Sequence, residues 1–295
     1  MTGAPTLDPA AFVPHPRREG LLRELHARPF QPLTAPARLL RFAFMTDPAE
    51  AAAARAAFVA LCAARGLAAP PADSKHHVAR LAEGDLAFEQ HGEFTTWTWI
   101  LRGAGAPPFE PEASALARRL PALPQPGPHL VSLDLALVPE AWDVREADLF
   151  DLSSLAAATV KSGAARIACD FRATPAGFTR LLVANRSLEA NAAGALCQRL
   201  LELETYRVLA LLGLPEALRL TPGAARFEAE LAAIAAATTK SAGLADDSEL
   251  LHRLTLLAAE LEAATAAVAY RFGATRAYDE IVGQRLQAIG EEPVA

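Results

Sequence analysis

Hydrophobic and polar positions follow two different periods along this chain, and the change between them divides it. Up to about residue 186 the apolar residues come in short runs with the period of two expected of strands. Arg38 to Met45 alternates, with Phe42 and Phe44 on one side. Asp85 to Gln90 and Phe94 to Leu101 predict two strands joined tightly near Gly92. The second holds Thr95, Thr96, Trp97, Thr98, Trp99 and Ile100, all strong β formers. His129 to Val138 places Val131, Leu133, Leu135 and Leu137 on one face. Arg166 to Phe171 and Phe178 to Ala184 predict a hairpin around Thr174-Pro175-Ala176-Gly177.

From Ser187 the period becomes helical. Leu188 to Leu212 predicts one long helix, stopped by Gly213-Leu214-Pro215. Further helices are expected over Ala224–Lys240, Ser248–Phe272 and Ala274–Ile289. Leu250, Leu254, Leu257, Leu261, Ala264 and Val268 are spaced four, three, four, three, four, the seam of a coiled coil. Phe227, Leu231 and Ile234 continue that logic in the preceding helix, which predicts an antiparallel pair across a turn at Gly243.

Two helices are expected earlier. Arg17 to Ala27 can form a short one, ended by Pro29. Asp47-Pro48 offers an N-cap followed by proline at the first helical position, and the Ala-rich stretch beyond it runs to Arg65. The expected fold class is therefore α+β: an antiparallel sheet with flanking helices, then a C-terminal helical bundle with a coiled-coil-like hairpin. The expected domains are 1–186 and 187–295.

Composition narrows the function classes. The net charge of −6 and the absence of a basic tract disfavour nucleic acid as a partner. Cys62, Cys169 and Cys197 are far apart and form no CxxC pair, so neither a disulfide framework nor a zinc-ribbon pattern is present. A reducing cytoplasm is the expected compartment. Met1 to Pro16 has no apolar core of the signal-peptide kind. No uncharged apolar run reaches the roughly eighteen residues a membrane helix needs. P-loop, GxGxxG, GxSxG and HExxH patterns are also absent.

Chemistry concentrates in a few polar blocks. Glu89, His91 and Glu93 are spaced by two and would share one face of a regular strand. Two carboxylates and an imidazole suit a divalent metal such as Zn, Mn or Fe, or a general acid–base set. The same pattern suits a solvated strand face beside a turn. Glu24, His26 and Arg28 form a second block. There Arg28 could fork onto a carboxylate or phosphate with His26 beside it, or simply cap the end of a helix. Asp170 and Arg172 share a strand face and fit an ordinary cross-strand pair. Glu202 and Tyr206 lie one helical turn apart, with Glu204 pointing elsewhere; they fit a pairing network or a carboxylate supplied to a site.

These blocks also carry a resemblance. Glu24-Leu25-His26-Ala27-Arg28-Pro29-Phe30, Glu89-Gln90-His91-Gly92-Glu93-Phe94-Thr95 and Asp170-Phe171-Arg172 resemble an uncharacterised bacterial family, domain of unknown function 3422. Glu202 to Arg207, Leu212 to Pro215 and Arg271 to Thr275, with Tyr278, Ile281-Val282 and Arg285, extend it across nearly the whole chain. The resemblance implies a membrane-anchored family whose members continue into C-terminal membrane helices. This sequence stops at Ala295 without them, as a soluble sibling or a shortened member would. The resemblance implies no catalytic residue. Two functions are therefore expected: a ligand-binding or assembly domain that forms a homo-oligomer through its helices, or an enzyme built on His91, Glu89, Glu93, His26 and Arg28.

Overall fold

A computed structural model describes Val13, His15, Pro16, Arg18, residues 30–71 and residues 74–293. The helix expected over Arg17–Ala27 lies largely outside the described residues. The chain forms two compact units. Among the described residues, those up to 157 together with 164–198 form one, and 158–163 together with those from 199 onward form the other.

The first unit is built on a mixed sheet. Its strands are β1 (Ala37–Met45), β2 (His76–Leu81), β3 (Gly84–Gln90), β4 (Phe94–Arg102), β5 (His129–Pro139), β7 (Ala165–Cys169) and β8 (Thr179–Asn185), in the order β2-β3-β4-β1-β5-β8-β7. Between β5 and β7 the chain forms β6 (Ala156–Val160). All neighbours are antiparallel except β5 and β8, which run parallel with Leu133 opposite Thr179 and Leu137 opposite Val183. A parallel pair needs a long connection rather than a hairpin, and the segment from β5 to β8 supplies it.

Helix α1 (Pro48–Ala64) covers one face of this sheet. It starts where the sequence predicts. The Asp47 side chain accepts from the Glu50 backbone N–H at 2.8 Å, and Glu50 returns the contact to the Asp47 N–H at 2.8 Å. Ala51, Ala54, Phe58 and Cys62 form its buried stripe. Small alanines let the helix approach closely, so the Phe58 ring stacks on Phe88 at 5.3 Å and meets Trp97 at 5.8 Å. A short helix α2 (Ala113–Ala117) packs into the same cluster through Ala113.

Helix α3 (Ala190–Ala210) begins in the first unit and continues into the second from Arg199. Gly194 is where its start meets the chain before β1. A Cβ there would lie 2.0 Å from the Gln31 carbonyl oxygen, so only glycine fits.

The second unit is dominated by helices. Beyond α3 come α4 (Gly213–Thr238) and α5 (Leu244–Ile289), the latter an unbroken helix of 46 residues. Only Leu211 and Leu212 separate α3 from α4, and α5 runs back along both. Glu202 pairs with Arg285 and Tyr206 packs on Tyr278. The Thr275 hydroxyl donates to the Ala210 carbonyl, while Arg226 pairs with Glu260 and Arg253 with Glu230. In each pair the partner number falls as the first rises, so these contacts describe one continuous antiparallel hairpin. Near its open end β6 pairs with β9 (Glu291–Pro293), and Lys161 Nζ donates to the Ala288 carbonyl in the last turn of α5.

Candidate functional site

The first unit holds a buried ion pair that reaches across a strand. Arg41 of β1 and Glu89 of β3 flank β4, where Arg41 stands opposite Thr98 and Glu89 opposite Thr96. The guanidinium pairs directly with the Glu89 carboxylate, and its Nε donates to Thr98 Oγ1 at 3.0 Å. The Thr96 hydroxyl donates to Glu89 at 3.0 Å. Arg41 and Glu89 are each only 4% exposed. The β propensity of Thr95–Ile100 thus does more than build a strand, because its alternate threonines supply the hydroxyls that line this pair.

Electrostatics keep Glu89 ionised. Burial alone would push its carboxyl up, but Arg41, then His91 and His76, and the Thr96 hydroxyl together hold it at about 2. His76 stands opposite Glu89 on β2. The neighbouring His77 points to the other sheet face, 5.8 Å from the Phe58 ring, where burial and then Arg55 lower its pKa. Glu89 is therefore an acceptor and an orienting charge at neutral pH. It is not a proton donor.

His91 and Glu93 lie in the turn between β3 and β4, beyond the last residue of β3, so strand alternation does not extend to them. His91 stacks on Phe94 with ring centroids 4.0 Å apart and planes 8° from parallel. Its backbone N–H donates to the Phe94 carbonyl, and the Glu93 carbonyl accepts from Thr46. Among the described residues no group of three His, Cys, Asp or Glu side chains is arranged to hold a metal ion. Glu24, His26 and Arg28 lie outside the described residues.

A second buried pair occupies the opposite sheet face. Arg38 Nε and Nη2 fork onto the two carboxylate oxygens of Asp134, each at 2.8 Å. The same guanidinium donates to the carbonyls of Pro111 and Phe109, which ties the loop before α2 to the sheet. Sequence reasoning did not single out Arg38, Arg41 or Asp134. The signal was there, because each interrupts a strand that is otherwise almost wholly apolar.

The remaining candidates separate. Asp170 and Arg172 follow the end of β7, with Phe171 between them at a left-handed φ of 56°. Asp170 accepts from the backbone N–H groups of Asp151 and Arg172, and the Arg172 guanidinium pairs with Asp151. They brace a loop rather than a cross-strand pair. In the second unit Glu202 accepts from Arg285 at 2.6 Å, while Glu204 is buried and held by Arg207 at 2.6 and 2.7 Å. Tyr206 lies 5.6 Å from the Tyr278 ring.

The second unit also carries an apolar groove of about 650 Å³ between α4 and α5. The predicted seam residues Leu254, Leu257, Leu261 and Val268 line it, opposite Phe227 and Leu231. Several remain open to solvent: Leu231 is 52% exposed, Leu254 42% and Leu261 51%.

The mixed sheet with its buried ion pairs and the long C-terminal helices define an α+β protein. A family model described as "Protein of unknown function (DUF3422)" matches residues 13–295, and the chain belongs to that family. No curated protein and no solved structure matches. Among the described residues no helix is long and apolar enough to cross a membrane.

Proposed function

We infer that this protein is an assembly module that pairs with a second copy of itself through the α4–α5 hairpin. One observation carries the reading: leucines at the heptad positions of α5 stay about half exposed although they face a partner helix. Two helices bury one side of each seam and leave the groove above it open. A contiguous apolar groove of this kind marks an interface more often than a solvent face. A helix of 46 residues is about 69 Å long, and its seam offers length enough for a stable contact. A second hairpin laid across the first about a two-fold axis would close both grooves at once and give a four-helix bundle. Arg226–Glu260 and Arg253–Glu230 would then form the polar rim that such interfaces carry.

Sedimentation velocity across the micromolar range tests this. Wild type is expected to show a concentration-dependent oligomer, and Leu254→Glu with Leu261→Glu a monomer with unchanged circular dichroism. A wild-type monomer throughout, or a double variant that sediments like wild type, sinks the reading.

A second reading is an acid–base or metal site built on His91, Glu89 and Glu93, with His26 and Arg28. The observation in its favour is the buried, ionised Glu89 in the field of two histidines. Elemental analysis by plasma mass spectrometry tests its metal form. About one equivalent of Zn, Mn or Fe, lost in His91→Ala, would carry it, and a metal-free wild type would remove it.

A further inference from the structure

His129 and Ser132 stand three positions apart on β5, and a regular strand would send their side chains to opposite faces. A bulge brings them together. Ala43 of β1 stands opposite Val131, but Phe44 stands opposite His129 rather than Leu130, so β5 carries an extra residue there. Ser132 stands opposite Phe42, and Phe42 and Phe44 share one face of β1. His129 therefore joins Ser132 on that face, its ring 5.3 Å from the Phe44 ring and 6.5 Å from the Phe42 ring. His129 Nε2 lies 2.9 Å from Ser132 Oγ. Bulges are frequent beside active sites, where they re-aim a side chain.

Both residues line a recess of about 400 Å³ in the first unit, which neither reading above uses. That volume falls in the range of small-molecule sites. Rings of Phe42, Phe44, Trp97 and Phe178 form much of its wall, and the segment after α2 brings Gln125 to it. Among the described residues that line the recess, His129 is the one titratable side chain and Ser132 the one hydroxyl. His129 is exposed and Ser132 half-buried, so a solute reaches both. A hydroxyl within hydrogen-bond reach of an imidazole is the nucleophile–base arrangement of acyl transfer.

We propose that Ser132 and His129 form a nucleophile–base pair that hydrolyses carboxylic esters with a small apolar acyl group, which the ring-lined recess accepts. With the imidazole protonated on Nδ1, Nε2 accepts from the Ser132 hydroxyl. Ser132 Oγ attacks the ester carbonyl carbon as its proton passes to Nε2. The new Nε2–H has an acceptor in place, the Val131 carbonyl 3.0 Å away. The Gln125 amide at the recess is a donor available to the oxyanion. The bond from the acyl carbon to the alkoxy oxygen then breaks, and the alcohol leaves with the proton from Nε2. Water, activated by the same nitrogen, releases the carboxylic acid and restores the serine. This inference does not depend on self-association through α4 and α5, because every residue it uses belongs to the first unit.

Two probes test this on the full chain. An alkyl fluorophosphonate reacts with serines that a base activates, and peptide mass mapping locates the label. It should modify Ser132, and the modification should be absent from Ser132→Ala. His129→Gln keeps a polar side chain and removes the base, so it should slow labelling of Ser132 by about 100-fold or more. The second probe is p-nitrophenyl butyrate, whose hydrolysis should be saturable in wild type and fall to the uncatalysed rate in Ser132→Ala. Both variants should keep the wild-type circular dichroism, since neither side chain belongs to the buried core. Labelling of Ser132 at the same rate in His129→Gln would overturn the proposal, as would butyrate hydrolysis that survives Ser132→Ala. A wild-type protein that takes no label would also overturn it: His129 then holds its Nε2–H on the Val131 carbonyl and only fixes the start of β5.

Discussion

Arg41 and Glu89 meet across an intervening strand, and both are buried. The pair sits on one face of β1, while Arg38 of the same strand forks onto Asp134 on the other. A buried pair of this kind adds little over apolar residues of the same volume, but removing one partner leaves a bare charge in the core. Glu89→Gln is therefore expected to destabilise the protein by about 3–5 kcal/mol in urea unfolding. Arg41→Met with Glu89→Leu should cost much less than the two single changes added together, because neither charge is then orphaned. A Glu89→Gln protein within about 1 kcal/mol of wild type would mean that Arg41 is solvated without its partner.

Acid should find the same pair. The Glu89 carboxyl is held at about 2 in the folded protein, against an ordinary value of 4.5. A depressed carboxyl stabilises the fold above its unfolded pKa, and the contribution is lost as pH falls through the folded value. The window here runs from about pH 5 down to about pH 2, and the loss is on the order of 3 kcal/mol. Thermal melts across this window should show a steep drop for wild type. In Glu89→Gln the drop should be shallower, with only the other carboxylates contributing. Identical slopes for the two proteins would take Glu89 out of the acid transition.

The three thiols should be silent in the native state. Cys62, Cys169 and Cys197 are all buried thiols, none of them in a disulfide among the described residues. Burial pushes the Cys62 thiol up and the Cys197 thiol up to about 12, so almost no thiolate forms near neutrality. Cys169 Sγ also accepts the Phe171 backbone N–H at 3.2 Å. Ellman's reagent at pH 8 should release no thiolate from folded protein and three equivalents after denaturation. Fast release of one equivalent from folded protein would point to local opening around one cysteine.

Much of the fold was legible because local preference and burial agree. Asp47-Pro48 starts α1, and Thr95–Ile100 lies in β4, as their residue types demand. Strand β6, Ala156–Val160, was not read, because its alanines are weak strand formers and only Thr159 and Val160 favour it. Gly273 suggested a break between two helices, yet α5 runs through it. A mid-helix glycine costs only about 1 kcal/mol, which packing along a long hairpin outweighs. The candidate site was half legible. The spacing of Glu89, His91 and Glu93 drew attention to Glu89. Its true partner is Arg41, 48 positions away, and no local spacing reports a contact that depends on strand order.

Gly213 and Thr275 test the packing of the hairpin near its middle. Gly213 opens α4, where the sequence suggested only the end of the preceding helix. A Cβ at this position would lie 2.5 Å from Thr275 Oγ1 and 3.3 Å from Thr275 Cβ. That hydroxyl donates to the Ala210 carbonyl at 3.1 Å, close to the last turn of α3. Gly213→Ala must therefore move the threonine and strain this hydrogen bond, at about 1–3 kcal/mol for an overpacked contact. Thr275→Ala alone should cost about 1 kcal/mol, the worth of the bond. Combined, the two changes should cost less than their sum, because alanine at 275 has no oxygen for the new methyl group to strike. A double-mutant cycle by urea unfolding measures that coupling. Strict additivity, or a stabilised Gly213→Ala protein, would mean that α4 and α5 stand farther apart in solution than the distances here require.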